Sequence, residues 1–172
     1  MEIRSVRPEE HSDLADLTVM AYQQIGDLED SYEPELRDVA GRVAGAEVLV
    51  CVDDDGALVG GVTFVPDHGS PYAEFDAEHA AGMRMLAVHP AAQGRGVGEA
   101  LVLECIAMAR AADRIELVLH TGTEMRAAHR IYERIGFVRD PNLDWWPTPS
   151  VELLGYRLHL EATANAAGDG GA

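Results

Sequence analysis

Residues 83–98 read Met-Arg-Met-Leu-Ala-Val-His-Pro-Ala-Ala-Gln-Gly-Arg-Gly-Val-Gly: an apolar strand, a short turn, and a glycine-rich loop opening into the helical run Glu99–Ala112. Such a loop presents bare backbone N–H groups, backed by a helix N-terminus, to an anionic ligand. Three nucleotide motifs can be tested against it. A P-loop needs a lysine after its glycine turn, and the chain contains none. The dinucleotide fingerprint G-x-G-x-x-G, started at Gly94 and Gly96, needs glycine where Glu99 stands. The pattern Q-x-x-G-x-G fits, from Gln93 through Gly96 to Gly98. A turn that uses glycine only for its positive φ reads the same residues without a ligand.

The 172 residues suit a single domain with a sizeable core. The N-terminus carries charges throughout and no apolar h-region, so no secretory signal is expected. The longest apolar runs, such as Val48–Val52, fall far short of a membrane span. Cys51 and Cys105 read as buried thiols in a strand and a helix, not as a disulfide or a metal site. The seven histidines show no metal-like spacing with acids or cysteines, so no metal is expected. These features make a cytoplasmic enzyme the default. The formal charge is −17 and is unevenly placed. Residues 1–78 hold 19 acids against four arginines, and residues 79–172 hold 11 acids against nine. So negative a field argues against nucleic acid, favours cationic partners, and also reads simply as a solubility charge.

Along the chain, Glu2–Arg7 reads as a first strand, and Pro8 with Glu9 and Glu10 opens a helix to about Gln24. Residues 26–34 form an acidic loop and Glu35–Ala44 a second helix. Ala46–Val52 and Leu58–Val65 are strands joined by the Asp53-Asp54-Asp55-Gly56 hairpin turn. After the acidic loop Pro66–Glu78 comes the strand at Met83, then the helix Glu99–Ala112, apolar almost all round and therefore expected to be buried. Ile115–His120 is a strand. From Glu124 to Ile135 the residues Met125, Ala128, Tyr132 and Ile135 share one helical face, and Gly136 ends that helix. A strand begins at Phe137, Asp140–Ser150 reads as a loop, and Val151–Leu160 closes the sheet. Residues 161–172 are a small-residue tail expected to be disordered.

The hexapeptide Gln93–Gly98, the preceding Leu86-Ala87-Val88-His89-Pro90, and the later run Ala128-His129-Arg130-Ile131-Tyr132-Glu133-Arg134-Ile135-Gly136-Phe137 together resemble the GCN5-related N-acetyltransferase (GNAT) family. The first matches its pyrophosphate motif Q/R-x-x-G-x-G/A, the last its A-x-x-x-Y-x-x-x-G-F signature. The resemblance implies an α/β acyl-CoA N-acyltransferase fold: a central, mainly antiparallel mixed sheet with helices on both faces. It implies one acetyltransferase domain over 1–160 and acetyl-CoA as co-substrate. In detail it covers Met83–Phe137, and the N-terminal half matches in pattern only. By resemblance, the loop Gln93, Gly94, Arg95, Gly96, Val97, Gly98 and Glu99 holds the pyrophosphate. Leu86, Ala87 and Val88 pair with the pantetheine arm, and the Val88 N–H polarises the thioester carbonyl.

Tyr132 is then the group that meets the departing thiolate; a buried tyrosine packed in the core is the other reading. A phenol of pKa ~10 donating to a thiolate of ~8.5 works uphill by about 2 kcal/mol, which favours a hydrogen bond over full proton transfer. At the strand end, where some family members carry a carboxylate base, this chain has His120, with Glu74, Asp76 and Glu78 as competing proton acceptors. A locally hydrogen-bonded histidine is the alternative. Seven residues before the tyrosine, where the family often has asparagine, stands Met125. The acceptor pocket is expected from residues 26–34, 67–78 and 140–150, with Trp145 and Trp146 as walls. The resulting expectation is direct transfer of acetyl to a primary amine in a ternary complex. The acceptor would be a small molecule or a peptide N-terminus, and cationic. A non-catalytic acyl-CoA-binding sensor is the alternative. A homodimer is left open.

Overall fold

The computed structural model describes residues 1–26 and 30–161. The expected tail from Ala162 onward, and Asp27 and Glu29 of the first acidic loop, lie outside the described residues. The eight strands are β1 (Glu2–Ser5), β2 (Glu47–Val52), β3 (Leu58–Val65), β4 (Ala80–Val88), β5 (Glu116–Gly122), β6 (Val138–Arg139), β7 (Trp145–Thr148) and β8 (Val151–His159). They form one sheet in the order β1-β2-β3-β4-β5-β8-β6, with β7 also paired to β8. Every pairing is antiparallel except β4–β5. That parallel pair needs a crossover, and α4 (Val97–Ala111) supplies it.

Helices cover both faces. On one lie α1 (His11–Gln23), α2 (Glu33–Arg37) and α3 (Val39–Gly45); on the other lie α4 and α5 (Arg126–Ile135). The central strands β2–β5 therefore read as nearly continuous apolar runs, because both of their faces are covered. In β2, Leu49 and Cys51 join the core under α4, while Val48, Val50 and Val52 join the core under α1 and α3.

In β4 this alternation breaks. Ala81 and Met83 face the α4 side, yet two and four residues on Met85 and Ala87 face the α1 side. The cause is a bulge: β3 pairs Gly61 with Ala87 and Thr63 with Arg84, so Val62 alone opposes two residues. Met85 takes up the extra residue at φ 54. A one-residue slip exchanges every following side chain between faces, and the bulge does this on purpose in mid-strand. It coincides with a second event. Pairing of β4 with β5 runs only from Ala80–Glu116 to Met83–Leu119, and beyond that point the strands part.

Local differences from the sequence reading have identifiable causes. The expected helix Glu35–Ala44 is two helices, because Asp38 sits at ψ 66 and its carboxylate caps α3 by accepting from the Gly41 N–H at 2.8 Å. The first helix opens with a 3-10 turn, Pro8–Glu10, before α1 begins. β4 starts three residues earlier than Met83, and α4 two residues earlier than Glu99. The helix α4 is not buried all round: Leu103, Glu104, Ala107 and Arg110 are exposed, since the helix lies on the sheet and none of the described residues covers its back. The expected loop Asp140–Ser150 contains a 3-10 turn, Pro141–Leu143, and β7, whose Pro147 is tolerated on an edge strand. Among the described residues no helix is long and apolar enough to cross a membrane.

Candidate active site

Two candidate faces adjoin the point where β4 parts from β5. On the first, β4 runs into a 3-10 turn, Pro90–Ala92, and then into the exposed loop Gln93–Gly96. Gly94 and Gly96 sit at φ 76 and 80, conformations that a side-chain-bearing residue adopts at a cost of about 1–2 kcal/mol. A Cβ on either would meet nothing within 4 Å, so backbone geometry, not crowding, selects glycine there. Gly96 then caps α4, whose first N–H groups, at Val97, Gly98 and Glu99, have no helical carbonyl to bond. Val97 and Gly98 are buried; a Cβ on Gly98 would stand 3.1 Å from Ile131 and 3.4 Å from Val88, so the helix start packs tightly against α5 and the end of β4. Glu99 is held off the loop by Arg134 at 2.5 Å. This is a cradle that fits a phosphate group: exposed, positive in partial charge, and free of obstructing side chains. Leu86 and Val88 are half-buried against the α4 core while Ala87 is buried under α1, leaving the strand's backbone at the edge of the gap.

The second face is a cleft of ≈ 700 Å³ whose walls include Tyr22, Tyr32, Glu74, Arg84, His120 and Trp145. Glu35, Glu124 and Glu152 also line it, so among the described residues four glutamates face one arginine. Arg84 binds Glu35 at 2.9 Å and Glu74 at 3.0 Å. Glu74 turns its other oxygen to His120 Nδ1 at 3.3 Å. His120 Nε2 lies 2.9 Å from the Leu143 carbonyl. A carbonyl only accepts, so Nε2 carries a hydrogen and donates it. The His120 side chain is 4% exposed, and Trp145 stands edge-on to it. Both ring nitrogens are thus occupied, and of the pair the Glu74 carboxylate, 17% exposed, is the more accessible proton acceptor. Asp76 and Glu78 are exposed and stand off this wall.

Tyr132 lies on the inner face of α5, packed against Phe137 and Tyr156 with ring centroids 5.7 and 6.0 Å away. Burial pushes its phenol well above the ordinary tyrosine range. The hydroxyl therefore stays protonated and is a hydrogen-bond donor. The Tyr22 hydroxyl, in the cleft wall, is likewise raised by burial, with the hydroxyls of Tyr32 and Tyr132 adding to the effect. Met125 precedes α5, lines the cleft, and accepts a hydrogen bond at Sδ from Thr121 at 3.5 Å.

Of the residues singled out in the sequence, the structure brings His120, Glu74, Met125 and Trp145 to one cleft, and gathers Leu86–Val88 with Gln93–Glu99 around the start of α4. Trp146 points elsewhere and is 57% exposed. Tyr32 comes from the segment 26–34 expected to wall the acceptor pocket, whereas Tyr22, Glu35 and Arg84 are additions to the sequence reading. Arg84 has a legible signal, a lone charge inside an otherwise apolar strand; Tyr22 and Glu35 have none, because α1 and α2 reach the cleft only through tertiary packing.

Comparison with known proteins gives a consistent picture. Residues 12–137 match the model of the acetyltransferase (GNAT) family. An acetyltransferase of the GNAT family from Staphylococcus aureus Mu50 superposes with a TM-score of 0.73 at 13% identity, covering 93% of this chain and 99% of the other. The structure of yncA from Salmonella typhimurium, which holds its cofactor acetyl-CoA, gives 0.67 at 22% identity over 95% of each chain. Ribosomal-protein-alanine N-acetyltransferase from Brucella melitensis gives 0.68 at 20% identity, covering 93% of this chain and 100% of that one. No curated protein matches the chain.

Proposed function

Since this chain belongs to the GNAT acetyltransferase family, we propose that it moves an acetyl group from acetyl-CoA to a primary amine by direct attack in a ternary complex, and that the amine is cationic. The observation that carries this reading is the parting of β4 from β5, which sets the phosphate-fitting cradle on one side and the Glu74–His120 pair on the other. Residues 1–160 form the acetyltransferase unit in this reading, and its setting is the cytoplasm, consistent with two free, buried cysteines.

Acetyl-CoA supplies the acetyl group as a thioester, so the carbon–nitrogen bond forms as the carbon–sulfur bond breaks. Gln93–Glu99 hold the pyrophosphate through backbone N–H groups, and Leu86–Val88 pair with the pantetheine arm. The Val88 N–H supports the charge that develops on the carbonyl oxygen. An alkyl ammonium of pKa ~10 must lose a proton before it attacks. Glu74 receives that proton: Arg84 holds one of its oxygens, and His120 Nδ1, 3.3 Å from the other, shares the proton once it arrives. Tyr132 donates a hydrogen bond to the departing sulfur; its raised pKa makes outright protonation still less favourable than for an ordinary phenol. No cysteine serves as a relay, because burial pushes the Cys105 thiol up to about 12 and raises Cys51 as well.

The excess of carboxylates in the cleft, with Tyr22, Tyr32 and Trp145 beside them, supports a positively charged acceptor with an apolar body. The test is thiol release from acetyl-CoA against amines divided between cationic and neutral. Release with cationic amines is the expected result. Release with neutral amines alone would reduce the acidic wall to a solubility feature. Saturable acetyl-CoA binding with no release would favour the sensor reading, for which Met125, standing where the family often has asparagine, is the supporting feature.

A further inference from the structure

Glu74 and His120 are held by two pieces of chain that have no helix or long strand of their own. Glu74 lies in irregular backbone between β3 and β4, and the carbonyl that anchors His120 belongs to the 3-10 turn Pro141–Leu143. Proton transfer across 3.3 Å tolerates little drift in either. Against both pieces lie two glycines that nothing in the mechanism so far uses.

Gly155 pairs directly with His120 across β5 and β8. A Cβ there would stand 2.2 Å from Leu143 Cβ and 3.1 Å from both the Asp140 carbonyl oxygen and the Leu143 carbonyl carbon. The turn thus occupies the volume a side chain would need, and this close seat is what lets Leu143 reach the imidazole. The seat is latched on three sides. Gly155 donates its N–H to Asp144 at 2.8 Å, and its carbonyl accepts from the Asp140 N–H and the Arg139 guanidinium, each at 3.0 Å. On the other strand, a Cβ on Gly82 would stand 2.5 Å from the Phe75 ring. That ring rests on the bare backbone of β4, next to Glu74 in sequence, over a small void that Glu74 and His120 also border.

We propose that Gly155 and Gly82 are positioning residues for the proton transfer: Gly155 seats the Leu143 carbonyl that fixes which His120 nitrogen carries hydrogen, and Gly82 seats the Phe75 ring that holds Glu74 against the other nitrogen. The proposal rests on the reading of Glu74 and His120 as the proton-accepting pair. The charged groups around the imidazole are Glu74 from the loop before β4, Arg84 from β4 with its partner Glu35 from α2, Asp144 from the turn, and Glu124 and Glu152 along the cleft. No other element brings a charge to the ring among the described contacts.

The experiment compares the wild type with Gly155→Ala, Gly82→Ala and, as a core-destabilised control far from the pair, Val48→Ala. The first readout is the His120 side chain in ¹⁵N-resolved NMR, which needs no turnover. The Nε2–H signal should be protected in the wild type and in Val48→Ala, and exchange at least tenfold faster in Gly155→Ala. Adding Leu143→Gly to Gly155→Ala removes the clashing Cβ and should restore protection, which also covers the case in which the single variant folds poorly. The second readout is kinetic. Each glycine variant should lower kcat/KM for the amine by about 10- to 100-fold, the scale of an ångström's misplacement, and displace the pH–rate profile. KM for acetyl-CoA should stay within twofold. A Gly155→Ala protein that loses thermal stability yet keeps the His120 signal and the wild-type pH profile would overturn the proposal. If the wild type acetylates no amine, the functional reading fails instead, and the NMR comparison still decides whether Gly155 fixes His120.

Discussion

The two sides of the β4–β5 gap are built on opposite principles. The cradle before α4 is made of contiguous residues and offers backbone: two positive-φ glycines, three N–H groups, and a helix dipole. The cleft is made of side chains drawn from α1, α2, β4, β5, β7, β8 and the loops between them, and what it offers is charge. A backbone site is rigid and tolerant of surface change. A side-chain site is adjustable, since each wall is replaceable without refolding the strand beneath it. The same fold can therefore keep one co-substrate while its acceptor varies.

The largest effect should come from breaking the charged side. Glu74→Gln keeps the size and the Arg84 contact but removes the proton acceptor, and kcat should fall by about 10²–10⁴-fold. Acetyl-CoA affinity, measured by calorimetry, should stay within twofold. Equal losses of turnover and acetyl-CoA affinity would mean that the two sides are not separable. Tyr132→Phe should come next, with kcat lower by about 10- to 100-fold as one hydrogen bond to a charged leaving group is lost. Its neighbours Phe137 and Tyr156 keep the ring packed, so binding of acetyl-CoA should survive.

This contrast also explains what could be read from residues alone. The geometry of the glycine loop was legible because it and its sequence are the same local object: Gln93–Gly98 declares glycines at the spacing the backbone needs. The helix α5 was legible through a single apolar face ending at Gly136, which the structure places at φ 112. The cleft was legible only in parts. His120 and Glu74 stood out as titratable groups near strand ends, but nothing in the sequence said that Leu143, 23 residues on, would take the imidazole's hydrogen. The bulge at Met85 was invisible as well. An unbroken apolar run does not show where its faces exchange, because both faces are apolar.

A smaller effect should follow from breaking the backbone side. Gly96→Ala forces a Cβ into φ 80, where nothing crowds it, so the cost is purely conformational. The loop can relieve about 1–2 kcal/mol by leaving that geometry, which is about a tenfold weaker Kd for acetyl-CoA. At saturating acetyl-CoA, kcat should be close to wild type. A fall in kcat as large as that of Glu74→Gln would show that the cradle also aligns the thioester.

The smallest effect should arise where neither side is touched, and it sharpens the comparison by setting its baseline. At the sheet edge, Arg4 grips Glu10 with paired contacts at 2.6 and 2.8 Å, and the Arg7 backbone N–H donates to the same carboxylate at 2.9 Å. The hydrogen bond from Arg4, ahead of the Arg7 N–H and the two positive charges, holds the Glu10 carboxyl down to about 2. A depressed carboxyl stabilises the folded chain above its unfolded titration range, and that contribution fades as pH falls through the folded value. Arg4→Ala should therefore lower Tm by about 1–2 °C at pH 7, a modest value for a solvent-screened pair. The difference from wild type should shrink steadily between about pH 5 and pH 2, as the carboxylate is protonated in both proteins. Thiol release and acetyl-CoA affinity should not change at neutral pH. A variant at this edge that altered either would mean that β1 communicates with the cleft through β2 and β3, and the division into two independent sides would have to include the sheet that joins them.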